Sequence, residues 1–197
     1  MQAGQKATGL TAQLLAYGRR AARTPQSLDM NAIVLNLEQT LRATLTPNLT
    51  LTLRLDAQAW PALADRAQIE HVILNLIGNA REAMPDGGSI EIVTSNYRAL
   101  DATAELASGD YVRLQVIDNG PGMTEEVRER IFEPFFTTKV RGHGLGLASV
   151  EGIVYQSGGA IQVRSAPGKG TCFDLLLPRA RERKGAEEQS RARPSSA

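Results

Sequence analysis

The sequence has 197 residues, 42% of them hydrophobic, and its 22 lysines and arginines nearly balance 21 aspartates and glutamates for a formal net charge of +1. That suits one globular domain with appendages, and it excludes a global field for nucleic acid or an anionic membrane, so any phosphate chemistry must be local. The one cysteine, Cys172, cannot form an internal disulfide, and no signal-peptide pattern or run of about 18 apolar residues occurs, so a reducing cytoplasm is the expected compartment.

In chain order, residues 5–22 place Leu10, Leu14, Tyr17 and Ala21 on one apolar helical seam with basic residues at its end. A helix that short needs a partner. Thr24-Pro25-Gln26-Ser27 reads as a linker separating this appendage from a main domain, and Asp29 can cap a second amphipathic helix through Ile33, Val34, Leu37 and Leu41. The expected divisions are 1–27, 28–178 and 179–197, the last a tail whose lack of apolar residues predicts disorder.

LTLTLRL at 49–55 alternates in the manner of a half-buried strand. HVILNLIGNAREAM at 71–84 carries Val72, Ile73, Leu76, Ile77, Ala80 and Ala83 at helical spacing, with Asn75 and Asn79 stacked beside that stripe. Two amides on one helical face are costly unless partners await them. The turn Pro85-Asp86-Gly87-Gly88 leads into a strand near SIEIVTS, and DYVRLQVID forms another that runs into Asn119-Gly120-Pro121-Gly122. A helix near 145–157 and strands at AIQVRS and CFDLLLP complete the series. This order predicts an α/β fold, a two-layer sandwich of a mixed β-sheet with helices on one face.

Asp118 closes an apolar strand beside Gly120 and Gly122. It is either an ordinary Asp-Asn-Gly turn or a carboxylate that accepts the exocyclic amine of adenine, with Met123 in soft contact with the ring. KVRGHGLGLASV brings Gly142, Gly144 and Gly146 to the start of a helix with Lys139 and Arg141 close by. That pattern is either a flexible surface loop or a lid whose backbone N–H groups and helix dipole receive a triphosphate.

Asn-x-x-x-Asn, then Asp-Asn-Gly-Pro-Gly, FEPFFTTK, GHGLGLA and GKGTCF follow one another in a specific series. Over residues 28–178 the chain resembles the ATP-binding catalytic domain of bacterial sensor histidine kinases, within the superfamily that includes DNA gyrase and mismatch-repair ATPases. Its NLxxNAREAMPxGG and FFTTKxxGxGLGLA are similar to those of hybrid kinases whose chain often ends in a receiver domain. The resemblance implies that Asn79, assisted by Asn75, holds a magnesium ion on the ATP phosphates. It implies that Asp118 reads adenine, with Gly120, Gly122 and Met123 shaping the pocket. Lys139 and the backbone of Gly142, His143, Gly144, Leu145, Gly146 and Leu147 would face the phosphates, and Thr171 would lie near the base.

Phe132, Phe135 and Phe136 resemble the aromatic box that anchors the lid and meets partner helices, or serve as ordinary core. Glu82 departs from the pattern, since many relatives carry lysine there, and Arg81 is the candidate substitute. Hydrolysing relatives carry a glutamate base where this chain has Asn75. The implied activity is transfer of the γ-phosphoryl of Mg-ATP to a histidine on a dimerisation helix, for relay to a response-regulator receiver domain. An ATPase of the same fold and a non-catalytic nucleotide-binding adaptor are the alternatives. Neither His71 nor His143 has an acceptor setting. Residues 10–34 resemble the second dimerising helix and its exit, so the expectation is a fragment without the histidine-bearing first helix, which must supply the acceptor as a partner.

Overall fold

The computed structural model describes residues 24–103, 106–139 and 142–181. The expected helix over 5–22, Arg141 and the tail from residue 182 lie outside the described residues. Strand β1 (Gln26–Leu28) precedes α1 (Met30–Thr44), β2 (Leu49–Leu55), β3 (Ala62–Ala64) and α2 (Arg66–Ala83). Strands β4 (Gly88–Ala99) and β5 (Gly109–Asp118), the single turn α3 (Glu125–Arg128), α4 (Gly146–Gln156), β6 (Ala160–Ser165) and β7 (Thr171–Pro178) follow.

Five strands form one sheet in the order β2-β4-β5-β7-β6, with β2 parallel to β4 and every other pair antiparallel. The mixed sheet and helices on one face agree with the sandwich read from the sequence. Alternation explains which face is covered. Val112, Leu114 and Val116 of β5 and Phe173, Leu175 and Leu177 of β7 enter one core with Ile69, Val72, Ile73, Leu76 and Ile77 of α2. Met30, Ile33, Val34 and Leu41 of α1 and Val150 and Val154 of α4 complete it.

Both long N-terminal helices have side-chain caps. Asp29 accepts from the Ala32 N–H at 3.1 Å and Asp65 from the Gln68 N–H at 3.2 Å, each satisfying an orphan donor of the first turn. The second cap starts α2 five residues before His71, the point at which its apolar stripe becomes legible.

A buried polar staple joins α1 to the sheet. Thr94, 2% exposed, donates through its hydroxyl to Asn31 Oδ1 at 2.6 Å, and the Asp56 N–H donates to that hydroxyl at 3.1 Å. Asn31 Nδ2 donates to the Asp56 carbonyl at 2.8 Å, which closes the ring.

Gln26–Leu28 is a strand in the structure, although the sequence there reads as a linker. It pairs antiparallel with β3, and Arg179 bridges to Ala62 of that same strand. The Ala180 N–H donates to the Pro61 carbonyl at 2.7 Å, so the first two residues of the expected tail belong to the fold. The guanidinium groups of Arg98 and Arg179 lie over the Trp60 ring, at 5.9 and 4.5 Å from its centroid, and Asp110 accepts from both arginines at 2.8 and 3.2 Å.

Candidate nucleotide-binding site

A cavity of about 620 Å³ opens where the ends of β5 and β7 meet α2 and the segment before α4. Asp118 and Thr171 are its buried polar residues. Asp118 is 8% exposed, and its Oδ1 accepts the N–H of Gly120 at 2.9 Å and of Thr171 at 3.2 Å. Burial raises its pKa above the ordinary 3.8, outweighing the two N–H groups that favour the anion. Both bonds fall on Oδ1, which leaves Oδ2 for a ligand.

The turn after Asp118 is held by close backbone packing. Gly122 lies at φ +68°, where an added Cβ would meet the Ala166 carbonyl oxygen at 2.0 Å, and at Gly170, φ +70°, it would meet the Asp118 carbonyl oxygen at 2.0 Å. Only glycine fits such approaches. The Met123 N–H donates to Ser165 Oγ at 2.9 Å, and that hydroxyl in turn donates to the Gly170 carbonyl at 2.8 Å and lies 3.1 Å from Thr171 Oγ1. Thr171 is therefore fixed by two hydrogen bonds beside the carboxylate.

Apolar walls surround this polar floor: Met123, Val127, Ile131 and Phe173 line the cavity beside Asp118. The last three were missed in the sequence, although Val127 and Ile131 carry a signal in their four-residue spacing. Ala83, Pro121, Thr137 and Thr138 also line it and were likewise missed.

The mouth is built by α2 and the glycine segment. Asn79, Lys139, Gly142, His143, Gly144, Leu145, Gly146 and Leu147 all line the cavity. Leu145 caps α4 with an apolar side chain that makes no capping hydrogen bond, so the positive end of that helix faces the cleft unneutralised. The Phe135 N–H donates to the Gly144 carbonyl at 2.8 Å, and Phe135 itself has φ +70°. Of the aromatic box, Phe136 lines the cavity beneath the Arg130 guanidinium at 4.4 Å, Phe132 is partly buried against the core and Phe135 is half-exposed.

Two residues expected at the site are not brought to the cavity wall. Gly120 acts behind it, through its N–H bond to Asp118. Asn75 stands one turn behind Asn79, its Nδ2 donating to the His71 carbonyl at 3.0 Å and lying 2.8 Å from His71 Nε2, while a Cβ added at Gly146 would meet its Oδ1 at 2.9 Å. His71 is thus a polar-bonded helix residue. Arg81, the candidate substitute for the absent lysine, donates through one guanidinium nitrogen to the Thr44 carbonyl at 3.1 Å at the end of α1 and keeps another 3.9 Å from Glu82 Oε1. The Lys139 ammonium stands at Asn79 instead, donating to its Oδ1 at 3.2 Å and to Glu82 Oε2 at 2.6 Å.

A family model described as "Histidine kinase-, DNA gyrase B-, and HSP90-like ATPase" matches residues 64–181, which span α2, the cavity and every strand from β4 to β7. The chain belongs to this family. Within it, the chain is an ATP-binding catalytic domain of the sensor histidine kinase type. It is 42% identical over 193 residues to sensor kinase CckA of Brucella abortus (strain 2308), covering 95% of this chain and 20% of that protein. Among solved structures it is similar to the catalytic domain of histidine kinase ThkA, with 30% identity, a TM-score of 0.60, and 79% of this chain and 96% of that one covered. ThkA in complex with response regulator protein TrrA also matches, with 26% identity, a TM-score of 0.62, and 91% and 48% covered. Full-length ShkA in complex with AMPPNP matches at 26% identity and a TM-score of 0.66, over 80% of this chain and 32% of that one. The chain thus spans between a sixth and about a third of the length of the first curated relatives it matches.

Proposed function

We propose that this domain binds ATP with magnesium and presents the γ-phosphoryl group to a histidine on a dimerisation helix, for relay to a response-regulator receiver domain. The observation that carries the reading is the Asp118 carboxyl, held by two backbone N–H groups at the floor of an apolar cavity whose mouth is lined by Asn79 and the glycine segment. An acceptor with a free oxygen on an apolar floor selects a ring that offers an N–H donor. Adenine presents an amine where guanine presents a carbonyl, and a carbonyl would leave two acceptors opposed.

The residues at the mouth fit a magnesium ion borne on phosphates rather than a caged one. Asn79 Oδ1 already accepts from a cation, the Lys139 ammonium, so that oxygen is placed and polarised for positive charge. Among the described residues no group of three or more histidine, cysteine or acidic side chains could hold a metal, and a hard cation with retained waters needs only one or two protein oxygens when phosphate supplies the rest. Bound there, the ion would neutralise phosphate charge. Asn79 would orient it, with Asn75 supporting from the turn behind, and the start of α4 and the Gly142–Leu147 backbone would receive the phosphate oxygens.

A carboxamide cannot take a proton from water. Asn75 therefore argues for transfer to a basic imidazole nitrogen, which needs little activation, over hydrolysis. No described helix is long and apolar enough to cross a membrane, and we assign the domain to the cytoplasm, where ATP is available.

The test is titration with a non-hydrolysable ATP analogue with and without magnesium, then incubation with a supplied histidine-bearing dimerisation domain and labelled ATP. We expect magnesium-dependent binding that Asn79→Ala weakens, preference for ATP over GTP, and label on the supplied histidine. Unchanged analogue affinity in Asn79→Ala overturns the metal assignment, and steady phosphate release without transfer overturns the kinase reading.

A further inference from the structure

Glu82 is the acidic side chain at the cleft to which the resemblance assigned no role. Three residues after Asn79 on α2, it shares a helical face with that asparagine and lines the cavity. One ammonium joins the two: Lys139 Nζ is 3.2 Å from Asn79 Oδ1 and 2.6 Å from Glu82 Oε2. The contact crosses from α2 to the segment beyond Phe136, 57 residues away in sequence. Asn79 Oδ1 therefore already carries a positive group, and Glu82 is what balances it.

A divalent cation and an ammonium cannot both stand on one carboxamide oxygen, since like charges about 3 Å apart repel strongly even in a solvated cleft. Resting on the nucleotide reading above, we propose that Glu82 is a positioning residue that makes the site select metal-loaded nucleotide. Without nucleotide its carboxylate retains Lys139 on Asn79. With magnesium nucleotide bound, Lys139 passes to the phosphates, and Glu82 becomes the counter-charge for the ion through its water shell. A metal-free triphosphate gains no such partner. It meets a carboxylate whose one other cation, the Arg81 guanidinium, stands off at 3.9 Å from Oε1, and it must also draw Lys139 away from that carboxylate. The lysine that many relatives carry at this position would reverse that sign.

Glu82 is half-exposed, so substitution there should leave the core intact. The experiment is calorimetric titration of the full chain with a non-hydrolysable ATP analogue, in magnesium and in a chelator, for wild type, Glu82→Gln and Glu82→Asp. Glu82→Gln is expected to tighten metal-free binding and to loosen magnesium-dependent binding, each by up to about fivefold, the reach of an exposed ion pair. Glu82→Asp should keep the wild-type order of the two affinities. If both affinities move together in Glu82→Gln, or neither moves, the role of Glu82 is overturned while the nucleotide site stands. If the wild type binds the analogue in neither condition, the nucleotide reading fails and this proposal falls with it.

Discussion

Asp118 and Thr171 lie directly opposite one another across β5 and β7, and the Thr171 N–H donates to the Asp118 carboxyl at 3.2 Å. The same strand pairing that builds the sheet therefore fixes the one buried carboxyl of the cleft. Burial raises its pKa, so the folded state prefers the protonated form more than the unfolded chain does. The stability that follows is present in full below the unfolded value of 3.8 and is lost as pH rises through the higher folded value.

Asp118→Asn should therefore separate stability from binding. The amide oxygen can still accept from Gly120 and Thr171, with no anion to desolvate. Urea unfolding at neutral pH should find the variant at least as stable as wild type, with its advantage shrinking as pH falls toward 3.8. Affinity for the ATP analogue should fall on the order of tenfold or more, the value of a charge-assisted bond. A variant that loses stability at pH 7 and keeps its affinity would contradict the assignment of Asp118.

Thr94→Val removes one hydroxyl from the staple between α1 and the sheet. Asn31 Oδ1 loses its donor, and the Asp56 N–H keeps only its longer bond to the Thr94 carbonyl at 3.4 Å, in a setting where Thr94 is buried. Leaving buried groups unpaired costs about 1–3 kcal/mol, and thermal unfolding should show a loss of that size. A neutral result would mean that water replaces the hydroxyl.

The glycines should divide into three groups under substitution by alanine. Gly122 and Gly170 combine positive φ with a 2.0 Å approach to backbone oxygen, so each variant should lose about 2–5 kcal/mol from conformation and displacement together. Gly168 has φ +69° and open space around it, and its variant should lose only about 1–2 kcal/mol. Gly78 lies in α2 with nothing within 4 Å of the added carbon, so its variant should gain about 1 kcal/mol from helix propensity. Unfolding midpoints that fail to follow this order would contradict the turn geometry.

The long elements were legible because periodicity and burial coincide in them. β2, with its four alternating leucines, and β6 stand where the pattern put them. The start of α2 was not legible, since Arg66, Ala67 and Gln68 precede the apolar stripe and only the Asp65 cap marks the turn. β1 and β3 are three residues each, too short for a period to show, and each is defined by a partner distant in sequence. At the cleft, glycines and the buried acid announced themselves through residue type, whereas Val127, Ile131 and Phe173 look like any core residue until the chain folds. The Lys139–Glu82 pair joins positions 57 apart, a contact no local pattern encodes.

Strand β3 receives Gln26–Leu28 on one side and Arg179 on the other. Arg179 follows β7 directly, at the end of that strand opposite Thr171. The three residues Ala62–Ala64 therefore tie the segment that leads into α1 to the segment that leaves the sheet, at the far end of β7 from the cleft floor.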